Sequence, residues 1–508
     1  MMRANCALTL FLSLLLFSVQ AQDSIFYSGA FRFGKNMAVA SCVQPKSDGF
    51  LLIEASDDER PKVHVIQYDS QGRLLNEYHH TLAANIDYKL SLQRIIPNDS
   101  TVHIYFSSYD RKNKALQAFV AVVRENGKKI EEPQLLFSTA SDFVSPLQIS
   151  HSPNKKNILL YFESGTFRKE DMPVHFKIIN SNFEAIHDKE LFLPYGSDVA
   201  QVQQCLVDDS ANVFLMSGKN PIKNNVRVMR SQGGRYLVFY YNFKENKLKE
   251  YDISLKEKQV VAAQGALNEN NEMIVGGYYS NDFSFAVAGT FVFKIADGGG
   301  ALKTASYMAF PKEFLSQFIA DRTLEKFPEL SDYFLDHMIL QSDGSIVLIG
   351  EQYTISERVN MDPVTGRTIV ENLHHYDDII VHQLQENGKI NWSGHIAKAQ
   401  HTSGERDKCG YNFFIYPEGI SFFFNDHPDN FKILQQNPQA RIDSWNGSRS
   451  AVIGQVSFDK YGKSYRKNLV SHKAAGGVLL PGLSNEQIYG SIVLGLAQNK
   501  DYKFCILK

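Results

Sequence analysis

Asp343-Gly344-Ser345-Ile346-Val347-Leu348-Ile349-Gly350, followed after an insertion by Asp378-Ile379-Ile380-Val381-His382-Gln383-Leu384, then Glu386-Asn387-Gly388 and Lys389-Ile390-Asn391-Trp392, is the stretch that decides the fold. Its apolar runs have strand length and are bounded by turn-forming residues. The same order recurs with less fidelity. Val63 to Tyr68 leads to Asp69-Ser70-Gln71-Gly72, Ala118 to Val123 to Glu125-Asn126-Gly127, and Val452 to Phe458 to Asp459-Lys460-Tyr461-Gly462. Helical periodicity is nearly absent beyond Gln22.

A repeated four-strand meander is the unit of a propeller blade. The residues just before each second strand are Gly49, Ser100, Lys156, Ala211, Asn271, Gly344, Gly419 and Glu486, spaced 51 to 75 residues apart. Eight starts predict an all-β, eight-bladed β-propeller of four-stranded antiparallel blades. The last blade supplies only three strands, at Gly477 to Leu480, Gln487 to Leu494 and Tyr502 to Leu507. The strand Ile25 to Phe33, which has no hairpin partner of its own, is expected to complete it and close the ring. The pattern of Asp-Gly, apolar run, Gly, second run, Asn-Gly and Trp resembles the blades of secreted bacterial β-propeller repeat proteins. The resemblance is sharp over residues 343 to 392, and it implies architecture with no catalytic residues to carry over.

The chain has 508 residues, with Lys+Arg 53 against Asp+Glu 55 and a net charge of −2. That balance offers no clustered basic excess for a nucleic acid. Arg3, the apolar run Ala7 to Val19 and the small residues Val19 and Ala21 predict a signal peptide over 1–21, cleaved before Gln22. Residues 22–508 are then expected to form one propeller domain, exported to the periplasm, the cell surface or the medium, with no transmembrane segment. Cys42, Cys205, Cys409 and Cys505 lie in or beside apolar strand-like runs and are expected as buried thiols.

Sorting the connectors by strand direction gives two unequal faces. One carries minimal turns; the other carries Lys219 to Gly233, Met308 to Asp332, Thr354 to Tyr376, Ala397 to Cys409 and Asp426 to Ser450. Long loops gathered on one face mark the expected functional surface. Pro311 followed by Phe314, Leu315, Phe318 and Ile319 predicts a short amphipathic helix within 311–327, laid over the disc.

Second strands run to the looped face and end in Glu54, Glu163, Glu351 and Asp426, acids that could serve as an acid/base pair. Glu351-Gln352-Tyr353 is the most suggestive, because three insertions surround it. In His374-His375-Tyr376-Asp377-Asp378 neighbouring side chains of a strand point to opposite faces, so only pairs such as His375 with Asp377 converge, and no metal site is expected. Arg358, Arg406, His427 and Trp445 fall on the same insertions. No GxSxG, HExxH, CxxC, GxGxxG or EF-hand pattern occurs, and no cofactor is implied. The expected function is therefore a non-catalytic binder of an envelope protein or glycan, through Glu351, Tyr353, Arg358, His375, Arg406, His427 and Trp445. The alternative is a carbohydrate-active enzyme, a glycoside hydrolase or lyase, using Glu351 with Asp377 or Asp426.

Overall fold

The computed structural model describes residues 25–32, 37–43, 49–82, 89–98, 100–141, 146–162, 171–195, 202–218, 236–281, 286–361, 366, 368–448, 450–483, 492–498 and 501–507. Among these the strands form eight antiparallel sheets, each built on four strands in chain order except the last, which takes its outer strand from the amino-terminal segment; two sheets add a short fifth strand. The first joins Met37–Val43, Gly49–Ser56, Lys62–Asp69 and Leu74–Thr81; the sixth joins Tyr333–Leu340, Ile346–Met361, Thr368–Leu384 and Ile390–Ile396. The seventh joins Asn412–Tyr416, Gly419–Asp426, Val452–Asp459 and Ser464–Ser471.

Second strands are apolar without alternation because both their faces are covered: Gly49–Ser56 and Met273–Ser280 are buried throughout. Fourth strands, outermost in their sheets, are largely exposed, as in Leu74–Thr81. Each sheet shares a buried apolar cluster with the next. Leu51 and Ile53 pack with Ile104 and Phe106 between the first and second sheets, and Ile349 and Val381 with Phe422 and Phe458 between the sixth and seventh. The series closes where Phe50, Leu52 and Tyr68 meet Val493, Phe504 and Ile506 of the last sheet. The fold is a β-propeller.

Ile25–Tyr27 pairs antiparallel with Asp501–Leu507 in the register Ile25↔Leu507, so the amino-terminal segment is the outer strand of the last sheet. Phe31 bridges Tyr502, and Arg32 pairs with Asp501. The second strand of that sheet is Ile492–Gln498, later than the expected 487–494, whose first residues lie outside the described ones. So do the signal segment 1–21, Phe33, Glu163 and the 219–233 insertion. The short turns carry their own chemistry. Asp69 Oδ1 accepts from the amides of Gln71 and Arg73, and Asp459 Oδ1 from those of Tyr461 and Lys463, with Gly72 and Gly462 at φ +78° and +83°.

Two expectations change. The insertion from Thr354 to Tyr376 is not a loop: the second and third strands of the sixth sheet continue as one ladder out to Met361 and Thr368. Residues 354–361 and 368–375 pair one to one across the ladder, so their backbone groups are satisfied without water. The helix within 311–327 is two short turns, Lys312–Leu315 and Asp321–Leu324, and Phe314 and Leu315 are buried against the fifth and sixth sheets. Cys205, Cys409 and Cys505 are free buried thiols. No helix among the described residues is long and apolar enough to cross a membrane.

Phe504 is fully buried at the closure, with its ring centroid 5.3 Å from that of Phe31 and 5.5 Å from that of Phe50. Phe504→Ala is expected to cost about 3–5 kcal/mol in urea unfolding. A loss below about 1 kcal/mol contradicts a packed closure.

Candidate functional site

The long ladder of the sixth sheet changes register between Glu351 and Tyr353: Glu351 pairs with Ile379, then Tyr353 with Tyr376. Such a bulge bends a strand and re-aims its side chains. It separates two polar groups, one sealed beneath the ladder and one along it.

The sealed group centres on Lys398, whose side chain is inaccessible. Its Nζ lies 3.0 Å from Glu351 Oε1 and donates to Tyr376 O at 2.5 Å and Gln400 Oε1 at 3.2 Å. Gln400 is anchored in turn, donating to Asn425 O at 2.8 Å and accepting from the Gly410 amide. The Lys398 amide donates to Asp378, which also faces His395. Burial raises the Asp377 carboxyl above its usual 3.8, against the pull of Lys398 and His375. Asp426 is closed in the same way: Oδ2 pairs with Arg466 at 2.5 Å, and Oδ1 accepts from the His427 amide and Asn430.

The second group lies beyond the bulge. His374 and Tyr376 alternate with His375 and Asp377, so the first two turn inward, the other two outward. Tyr353 Oη and His374 Nδ1 are 2.7 Å apart, buried from solvent. The Tyr353 ring lies 5.0 Å from Tyr376, whose Oη accepts from Arg406 Nε at 3.2 Å. Arg406 is half-buried in the 3₁₀ turn Arg406–Lys408, which follows the short strand Gln400–Thr402 added to the ladder edge. Burial, with the nearby Arg406 cation, holds His374 below its ordinary 6.5. The Tyr376 hydroxyl raises Arg406 further. A neutral imidazole in hydrogen-bond contact with the Tyr353 hydroxyl, beside a permanent cation, can move protons and stabilise a developing anion.

The structure thus brings Tyr353 and Arg406 together and sets His375 on the opposite face, where its Nε2 meets Ser356 Oγ at 2.8 Å. Arg358 lies farther out, exposed opposite Glu371. His427 is partly exposed near Asp429 and Asp443. Trp445, expected on the surface, is 2% exposed; it packs with Tyr353, Tyr376 and Cys409, and its indole donates to Ser448 O. Glu351 and Asp426 are each locked to a cation, so neither meets the needs of an acid/base pair. Lys398, His374 and Tyr376 were missed. The alternation through His374-His375-Tyr376 is a strand signal, and it could have named the inward pair.

No protein-family model matches the chain, and no curated protein does. Among solved structures it is similar to the β-propeller domain of the trilobed protease from Pyrococcus furiosus, at 9% identity and TM-score 0.35 over 86% of this chain and 97% of that one. An ulvan lyase of polysaccharide lyase family PL25 matches at 10% identity and TM-score 0.37, over 78% and 92%. Prolyl oligopeptidase B from Galerina marginata matches at 9% identity and TM-score 0.40, over 94% and 56%. The chain spans little more than half the length of the prolyl peptidases it matches. Likenesses this distant assign no reaction or residue. The expectation of a non-catalytic binder gains no support: the similar structures include prolyl peptidases, polysaccharide lyases and an arabinanase, and the Trp445 meant as its platform lies inside the core.

Removing the buried cation tests the sealed group. Lys398→Met is expected to cost about 3–5 kcal/mol, because a buried carboxylate loses its counter-charge, and Glu351→Leu in the same chain should recover most of it. Equal unfolding midpoints for wild type and Lys398→Met contradict the pairing.

Proposed function

We propose that the chain is a carbohydrate-active enzyme of the lyase type, cleaving an acidic polysaccharide by β-elimination at the ladder of the sixth sheet. The observation that carries this reading is the 2.7 Å contact between Tyr353 Oη and His374 Nδ1, with His374 held neutral beside Arg406. Elimination next to a uronate carboxylate needs a base for the carbon-bound proton, a cation for the charge that develops on the carboxylate, and an acid for the departing oxygen.

Once a bound polymer displaces the cover over the buried pair, Tyr353 Oη takes the proton from C5 as its own proton passes to His374 Nδ1. The C5–H electrons form the C4–C5 double bond, and the C4–O bond breaks. The departing oxygen takes the proton of Tyr376, whose phenolate is then stabilised by Arg406. No water is added across the cleaved bond, so a hydrolytic carboxylate pair is not required. The locked state of Glu351 and Asp426 fits that difference. The charged start and short apolar run of residues 1–21 support export, to a compartment where such polymers are met.

The purified protein, incubated with a panel of uronate-containing polysaccharides, is expected to release fragments with the ultraviolet absorbance of a conjugated unsaturated uronate and a mass lacking added water. Tyr353→Phe and His374→Ala should each lose about a hundredfold or more in rate. The rate should rise with pH as the His374 proton is lost, at a pH below 6.5. Fragments that carry added water, or a His374→Ala protein as active as wild type, contradict the reading.

A further inference from the structure

The first sheet carries a second polar constellation, far along the chain from the sixth-sheet ladder. In Lys62–Asp69 and Leu74–Thr81 the register sets His64 directly opposite His79, and on the inner side Glu54 of Gly49–Ser56 opposite His64. Glu77 lies two residues before His79 and shares its face. One row across the sheet therefore holds a buried carboxylate and two imidazoles, with the exposed Glu77 carboxylate diagonal to it.

The ligand atoms lie close together, and the exposed His79 ring has to turn out of its parallel stack on His64 for both imidazoles to aim at one ion. The His64 and His79 rings stack with centroids 4.2 Å apart and planes within 8°. Both Nε2 atoms address Glu77 Oε1, at 2.8 Å from His64 and 3.2 Å from His79. The ligand atoms of the three residues all lie within 4.8 Å of one another. Glu54 is fully buried, and its Oε2 stands 3.3 Å from His64 Nδ1. A carboxylate on Nδ1 can hold that ring's proton there when an ion displaces the proton that Nε2 shares with Glu77, the outer-shell arrangement of metal-binding histidines. The His64 side chain is 13% exposed and that of His79 72%, so the outer side stays open to a water ligand.

We infer that His64 Nε2, His79 Nε2 and a Glu77 carboxylate oxygen form a zinc site on the rim of the first sheet, with Glu54 orienting His64. Two imidazole nitrogens with one carboxylate oxygen suit zinc, which takes mixed nitrogen and oxygen ligands in a tetrahedron; calcium and magnesium require oxygen sets. The two carboxylates also balance the charge of a divalent ion. The site is independent of the proposed elimination.

Zinc titration of the full chain by calorimetry, with cobalt absorption spectra as a report of coordination, tests it. Wild type is expected to bind one equivalent at this site. His79→Ala and Glu77→Gln, both exposed changes whose fold is checked by circular dichroism, should each weaken binding about a hundredfold. Glu54→Gln should weaken it about tenfold and shift the cobalt spectrum, which loss of packing alone does not do. Wild-type affinity in His79→Ala and Glu77→Gln, or no bound equivalent at millimolar zinc, overturns the inference.

Discussion

Every sheet of this protein is apolar on both faces, so no sheet is stable until it has a neighbour on each side. That constraint demands a ring. It explains why the closing contacts of Phe504 with Phe31 and Phe50 repeat the chemistry of every other junction, with a strand borrowed from the amino-terminal segment. It also dictates what happens to polar residues. A carboxylate near the end of a second strand is buried between sheets and must find a cation or a donor. Glu351 finds Lys398 and Asp426 finds Arg466, while Glu54 finds His64. Three acids in corresponding places thus reach different ends. The first two are closed in charge pairs, and the third passes its orientation outward to an imidazole.

The sixth sheet departs from the others by not stopping at its boundary. Its second and third strands run on for another eight or more paired residues past the bulge, and Gln400–Thr402 adds to their edge. The extension gives Tyr353, His374 and Tyr376 a rigid backbone where a loop would have given a mobile one, and lays Arg406 against them. Trp445 and Cys409 fill the space behind, so the dyad sits on a packed floor.

Much of this was legible in the amino-acid sequence. The Asp-Gly and Asn-Gly turns around Ile346 to Leu384 announced the meander, and the orphan strand at Ile25 announced the closure. The ladder from Thr354 was not legible as such, because a run with charged residues such as Glu357, Arg358 and Glu371 has the composition of a solvated loop; only cross-strand pairing makes it a strand. Trp445 was misplaced for a related reason: a large aromatic within a polar insertion looks exposed until its neighbours fold over it. The row of Glu54, His64 and His79 could not be read at all, since register across three strands brings together residues that no sequence spacing joins.

The proposed elimination depends most directly on the state of one ring. Nitrogen NMR of histidine-labelled protein, with the His374 signal assigned by its loss in His374→Ala, reports both protonation and tautomer. At neutral pH the ring is predicted to be neutral, with its proton on Nε2 and Nδ1 accepting from Tyr353, and to shift on Tyr353→Phe. An imidazolium at neutral pH, or a ring whose signal ignores Tyr353→Phe, contradicts the dyad and the chemistry built on it.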